Sequence, residues 1–412
     1  MRKDGRRYDT QPIPIRKHAL LDPKEEKKEF ERLREHRVPR WVYRVIAILA
    51  VAAIAVLAWF NRTNLAPENV LQWVRTSIVG MGVGDGYPKA ISGSNVGARN
   101  FLCSGSNIVY ASDTSLTVCN TTAKEILSTQ HSYSNPLMQV NGIRILLCSI
   151  GGKNAQMFTT GGDTVELTTD QNILGAALTA KGRTALITAA DGYCGKLTVY
   201  DASGKVISHY WFADYFPTAV ALNPEGTKAA VTGVSSQEGE IVSAVYIIPL
   251  DSDKAVKPQA VCSGNFLSGV FWDTDGAVAA VGDTAAVFFK PNTSEKKEYS
   301  YNGEQLTAFY AKDGRLALGL MPYSGSQDNR LVVLDSSGNE IYETKFTERV
   351  LSVSLSGQTA AALTNGTLHF CSFSSATPSD ANAGNDAYAV ALKDEKSAYV
   401  LGISEVRLVK RG

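Results

Sequence analysis

Apolar and polar positions follow two different rhythms along this chain of 412 residues. Residues 41–60, WVYRVIAILAVAAIAVLAWF, form an unbroken apolar run whose single charge is Arg44. Twenty helical residues at 1.5 Å each reach about 30 Å, the thickness of a bilayer's hydrocarbon core. Trp41 and Tyr43 stand at one end of the run and Trp59 and Phe60 at the other, where amphipathic rings prefer the headgroup level. The pattern predicts one transmembrane helix over 41–60, with a buried helix of a soluble domain as the alternative. A cleaved signal peptide fits poorly, because a basic stretch of 40 residues precedes the run and no A-x-A-like site follows it.

From residue 87 the rhythm changes to short alternating runs that repeat one phrase. An apolar strand reaches a tight turn and is followed by a second strand of small residues. The clearest copies are AALTAKGRTALITA from Ala176, VALNPEGTKAAVTG from Val220, GVFWDTDGAVAAVG from Gly269, AFYAKDGRLALGL from Ala308 and SVSLSGQTAAAL from Ser352. Fainter copies are FLCSGSNIVYAS, MQVNGIRILLCS and AVALKDEKSAYVLG. The turn glycines are Gly105, Gly142, Gly182, Gly226, Gly276, Gly314 and Gly357, spaced by 37 to 50 residues, and the last copy places Lys393–Lys396 there. A third strand and another turn follow, as in LTVYDASGKVIS from Leu197 and LVVLDSSGNEIY from Leu331. Alternating Val, Ile, Tyr and Leu suit half-buried strands, and Asp-x-x-Gly suits turns.

Three or four short antiparallel strands every 40 or so residues predict an all-β fold, a β-propeller. Eight copies point to eight blades, with seven as the alternative. The eighth copy, Tyr388–Lys410, supplies only three strands, and Tyr87–Ser92 can provide the missing outer one, closing the ring with both chain ends. Small residues of the second strands, among them Ala185, Ala229, Ala230 and Ala360–Ala362, are expected where neighbouring sheets crowd each other.

The remaining segments set the expected domain plan. Residues 1–40 read as a cytoplasmic basic tail, disordered at first and then helical over Pro23–Arg37, with Asp22 as N-cap and Glu25 at the capping-box position. Residues 61–86 read as a juxtamembrane linker with an amphipathic helix over Glu68–Val79, ending in the glycine-rich Gly80–Gly86. Residues 87–412 are the propeller.

Charge adds an orientation. The formal net charge of +1 argues against a generally basic nucleic-acid binder. Residues 1–40 carry 13 Lys/Arg against 8 Asp/Glu, whereas the rest of the chain is net acidic. Basic excess beside a span marks the cytoplasmic side, so the expected location is the cell membrane, single-pass, with the propeller outside.

Candidate chemistry is sparse. Cys103, Cys119, Cys148, Cys194, Cys262 and Cys371 show no metal or redox spacing; buried thiols are expected, with a Cys103–Cys119 bridge as the alternative. Asp273-Thr-Asp-Gly276 resembles part of a calcium loop, but it stands where other copies have a hairpin turn and lacks the later acidic ligand. His131, His209 and His369 fall in different repeats, and no nucleophile elbow, phosphate loop or dinucleotide fingerprint is present. No enzyme activity, cofactor or metal is therefore expected. The stronger lead is His209–Pro217, HYWFADYFP, with five aromatics between two repeats. Such side chains are enriched where proteins meet partners. The candidate partner-binding residues are Tyr210, Trp211, Phe212, Tyr215, Phe216 and Tyr323, the last within the long connection 321–330. Ser235–Glu240 is a second long connection on the same expected face. Packing of the His209–Pro217 rings between adjacent blades is the alternative.

The order of basic tail, span, linker and propeller, with phrases such as LTVYDASGKVI and LVVLDSSGNEI, resembles a family of uncharacterised membrane-anchored propeller proteins of Gram-positive, Clostridia-like bacteria. More distantly it resembles the outer-membrane assembly propeller of Gram-negative bacteria, a scaffold, although no lipoprotein cysteine lies near the start. The expected function is a non-catalytic scaffold of the cell envelope that binds a membrane or envelope protein or a wall component. A ligand sensor signalling through the tail, or a propeller hydrolase or lyase, are the alternatives. A captured partner, ligand-dependent self-association, or converging His, acidic and Arg side chains at the channel would separate the three.

Overall fold

The computed structural model describes residues 41–45, 48–49, 51, 82–93, 95–252, 254–291, 293 and 295–412. Two compact units divide the chain, Met1–Ala66 and Pro67–Gly412. In the first unit the described residues are helical, and Trp41, Tyr43, Ile48, Leu49 and Val51 are exposed. Among the described residues, no helix is long and apolar enough to cross a membrane. Most of the predicted 41–60 span, the 1–40 tail with its Pro23–Arg37 helix, and the Glu68–Val79 helix lie outside the described residues.

The second unit is an eight-bladed β-propeller. Eight four-stranded antiparallel sheets succeed one another, each in sequence order except the last. The innermost strands, which open blades 1 to 8, are Val96–Ser104, Pro136–Asn141, Ile173–Leu178, Phe216–Leu222, Gly269–Trp272, Gln305–Lys312, Ser352–Ser356 and Ala389–Asp394. They neighbour one another around an axis, and blade 8 packs against blade 1. Burial falls outward. The second strand of blade 7, Thr359–Leu363, is buried at every position, and Ala360, Ala361 and Ala362 are fully enclosed between blades. Small side chains let the sheets on both sides approach this strand closely. The outer strands Val206–Phe212 and Glu340–Phe346 share one alternating pattern, with one face in the core and one in solvent.

All seven predicted turn glycines have positive φ, from 53° at Gly357 to 86° at Gly182. That left-handed backbone is open to glycine at little cost. The second family of turns is built by aspartate. In blade 3, Asp201 Oδ1 accepts from the Ser203 and Lys205 amides at 2.9 and 3.0 Å, and in blade 6 Asp335 Oδ1 accepts from Ser337 and Asn339 at 2.9 and 2.8 Å.

The ring closes as the sequence predicts. Lys89 and Ala90 pair antiparallel with Val406 and Glu405, supplying the outer strand of blade 8. Gly82–Gly86 runs along the Asn120–Lys124 turn of blade 1, where the Gly84 and Gly86 amides donate to Thr122 Oγ1 at 2.9 Å and Thr122 O at 3.1 Å. The expected connection Ser235–Glu240 is instead mostly strand. Strands Lys228–Gln237 and Glu240–Pro249 pair to their ends, and Glu238 and Gly239, at φ 52° and 86°, make a two-residue turn. Positive φ at both turn residues matches the right-handed twist of a hairpin, so a ribbon extends where a loop was expected.

Candidate binding surface

Because strands alternate in direction, each blade offers two unlike ends. The turns between first and second strands, and between third and fourth, form one face. The connections between blades, and between second and third strands, form the other, here called the loop face. Gly82–Gly86 contacts the Asn120–Lys124 turn, so the chain enters the propeller at the turn face.

Exposed apolar side chains gather at the loop face. Leu174, Tyr193, Trp211, Phe216, Ile241 and Phe266 stand at strand ends or connections on this side of blades 3 to 5. Tyr323, Leu351 and Ile403 continue it over blades 6 to 8. Other large exposed apolar residues of the second unit are Val83, beside the turn face, and Val206, Ile207, Val261 and Ile341, on outer strands. Exposed apolar side chains gathered at one end of neighbouring blades are the kind of surface at which proteins meet partners.

The predicted aromatic cluster divides in two. Trp211 is 43% exposed and Phe216 60% exposed, both on the loop face, and Tyr323 is 65% exposed on blade 6, with blades 4 and 5 between it and Trp211. Phe212 and Tyr215 are core residues, at 2% and 7% exposure, and are corrected from the partner-binding set. Period-two alternation along Val206–Phe212 turns Phe212 and Tyr210 toward blade 4 and leaves His209 and Trp211 on the opposite side. Phe212, Tyr215 and Tyr210 surround Tyr246 of blade 4 at ring distances of 5.5, 6.0 and 6.4 Å, and burial followed by the neighbouring Tyr210 pushes the Tyr246 phenol well above its ordinary range. Tyr210 is half-buried, and its hydroxyl donates to Val256 O at 3.2 Å. These rings fill the gap between blades 3 and 4.

Tyr193, Ile241 and Phe266 were not singled out in the sequence. Each is an isolated apolar residue beside a turn, and only the blade topology assembles them on one face. The Asp191-Gly192 pair before Tyr193 was the available signal for a hairpin tip.

Two other places bring polar side chains together. On blade 7, His369 Nε2 lies 3.1 Å from Thr364 Oγ1 and Nδ1 lies 2.6 Å from Asp380 Oδ1. This is the hydroxyl–imidazole–carboxylate order of a nucleophilic triad. Thr364, however, is 1% exposed, so no substrate carbon can reach its hydroxyl, and the three groups instead link strands of one blade. Along the axis, the inner strands line recesses of about 970 and 230 Å³ that share Gln139 and Phe271. Three polar side chains of the lining are hydrogen-bonded to neighbouring strands or connections. Ser352 and Ser354 accept from the Val390 and Leu392 amides at 3.2 and 2.9 Å, and Asp283 accepts from the Phe266 amide at 2.7 Å. Among the described residues, no group of three or more His, Cys, Asp or Glu side chains is placed to hold a metal ion. Asp273 sits in the predicted hairpin turn of blade 5, accepting from the Gly276 amide at 3.1 Å.

The fold and its loop face define a member of the β-propeller class. Residues 86–408 match the model of a family of unknown function, DUF5711, and the chain belongs to that family. None of the curated proteins matches it. Among solved structures it is similar to BamB from Moraxella catarrhalis, at a TM-score of 0.50 and 12% identity over 79% of this chain and 100% of that one. It is also similar to the C-terminal WD40 domain of Sif2, at a TM-score of 0.55 and 11% identity over 79% of this chain and 99% of that one. These likenesses are likenesses of fold.

Proposed function

We propose that this protein is a non-catalytic scaffold of the cell envelope, anchored by the 41–60 helix with its basic tail in the cytoplasm and its propeller outside. The propeller binds a protein partner through the loop face of blades 3 to 5. The apolar run and its basic flank support the anchor. The observation that carries the binding reading is the concentration of Phe216, Ile241, Phe266, Tyr193 and Trp211 at one end of three adjacent blades. Burying such residues contributes roughly 25 cal/mol per Å² of apolar area, and the rings add hot-spot character. The sealed Thr364 and the blade-joining bonds of Ser352 and Ser354 support a binding role over turnover.

The test is in-cell cross-linking followed by mass spectrometry on the full chain and on a Phe216→Ser/Ile241→Ser variant. Specific envelope proteins captured by the native chain and lost from the variant support the reading. Equal capture by both overturns it.

A further inference from the structure

Beside the loop face, blades 2 and 3 part to leave a cleft of about 540 Å³. One wall is the blade 3 sheet. Cross-strand partners Thr188, Lys196 and Trp211 form one row, and Thr198 and His209 lie side by side in the next. The opposite wall comes from the end of blade 2 and its exit connection, with Glu166, Asp170 and Gln171. At the corresponding place in blade 6 Arg330 forms an ion pair with Glu304, the two side chains only 16% and 15% exposed. In blade 3 that position is Lys196, which lies over the Trp211 ring, and the cleft opens beside it.

The lining has a specific composition. The Trp211 indole is an exposed platform, with the His209 ring edge-on at 4.5 Å, Tyr193 at 6.3 Å and the Lys196 ammonium 5.3 Å from its centroid. Around it stand acceptors and donors suited to hydroxyl groups. Gln171 Nε2 donates to Asp191 Oδ2 at 2.8 Å, and the Asp170 carboxylate lies near enough to Tyr200 to add to burial in raising its phenol. A pyranose ring has one face of C–H groups, which packs on an aromatic plane, and a rim of hydroxyls, which pair with carboxylates and amides. A mostly polar cleft with one aromatic wall meets both demands, and its volume lies in the range of small-ligand sites, roughly 300–1,000 Å³. Three carboxylates against one lysine repel anionic sugars. Lys196 already holds the cation seat on the indole, which disfavours an ammonium ligand there.

We propose that the cleft between blades 2 and 3 is a carbohydrate site for a short, uncharged oligosaccharide, with the Trp211 ring as the stacking platform and Asp170, Gln171 and Asp191 as hydroxyl partners. It shares Trp211 with the protein-binding loop face, but that face's test residues Phe216 and Ile241 do not line it, so the two readings fail separately.

The experiment is saturation-transfer NMR and calorimetry on the full chain with cellotriose and triacetylchitotriose as probes, and tetramethylammonium as the cationic rival. Native protein is expected to bind at least one trisaccharide, Trp211→Ala to lose at least tenfold in affinity, and Trp211→Phe to keep most of it. Asp170→Ala, in an exposed connection, is expected to weaken binding several-fold with the melting temperature unchanged, so that a folding defect in the tryptophan variant does not decide the result. No binding of either trisaccharide at millimolar concentration overturns the proposal. So does equal binding by native and Trp211→Ala proteins, or displacement of the sugars by tetramethylammonium.

Discussion

Tyr399 of blade 8 donates its phenol hydrogen to the carbonyl of Ser106 in blade 1 at 2.7 Å, across 293 residues of sequence. Tyr388 makes a similar bond to Val96 O at 2.8 Å, and the Tyr87 and Tyr399 rings lie 5.3 Å apart. A propeller whose ends meet within one blade has no open inner seam, and these tyrosines hold that seam. Tyr399→Phe is expected to cost about 1 kcal/mol, the net worth of one such hydrogen bond. Removing residues 82–91 is expected to cost considerably more, because it also bares the Glu405–Lys410 edge to other chains. Chemical denaturation and light scattering measure the two effects.

The glycine turns separate backbone strain from steric conflict. At Gly276, with φ of 81°, an added Cβ meets nothing within 4 Å, so Gly276→Ala is expected to cost about 1 kcal/mol. At Gly338, with φ of 73°, the same atom falls 2.6 Å from the ring of Phe288, itself 2% exposed and unable to withdraw. Gly338→Ala is expected to lose about 1–3 kcal/mol beyond the backbone term. Denaturant midpoints compare the two directly.

Acid is expected to act on blade 8. The Arg407 guanidinium, bonded to Asp386 Oδ1 at 2.7 Å, holds that carboxyl below its usual 3.8 against the opposing effect of burial, and the Ile403 amide adds to it. A depressed carboxylate contributes stability above its unfolded value and loses it as the pH falls through the folded one. Stability of the native chain should therefore fall below about pH 4, and the slope there should lessen in Asp386→Asn. Denaturation midpoints from neutral pH into the acid range provide the check.

All six cysteines are free thiols, which removes the Cys103–Cys119 bridge considered from sequence. Burial raises the Cys119 and Cys371 thiols to about 11 and 12, and it raises Cys148 further. Only thiolates alkylate quickly. Iodoacetamide on the native protein should mark Cys194 first, since it is partly exposed and its thiol is the less deeply set. Cys119, Cys148 and Cys371 should react only on unfolding, and a reducing agent should leave the melting temperature unchanged. Peptide mass mapping reads each site.

The blade count and the closing strand were legible because each blade repeats a local phrase, and local turn chemistry survives in any context. Gly105 through Gly357 mark hairpins whose φ only glycine adopts freely. The aromatic stretch was harder. His209–Pro217 spans a strand end, a turn and a new strand, so neighbours in sequence point to opposite sides: Phe212 and Tyr215 into the core, Trp211 and Phe216 outward. Which of two alternating sets faces the next blade depends on register with Lys196 and Leu197, and a single strand does not encode that. His369 gained its partners in the same way. Asp380 lies opposite it across a strand pair, and Thr364 reaches it from the preceding turn, so their meeting is set by the sheet. The blade 2–3 cleft is lined from two sheets, with Asp170 and Gln171 on one side and Lys196 and Trp211 on the other, so a single strand does not show it.

The most direct test of the scaffold account places a photo-crosslinking benzoylphenylalanine at Phe216 or Ile241 on the loop face, and at Ser203 or Ser336 on the turn face, in the full chain expressed in cells. The loop-face positions are expected to capture the same discrete partner and the turn-face positions are not. Capture of that partner from Ser203 or Ser336, or no discrete product from Phe216 and Ile241, would contradict the scaffold reading.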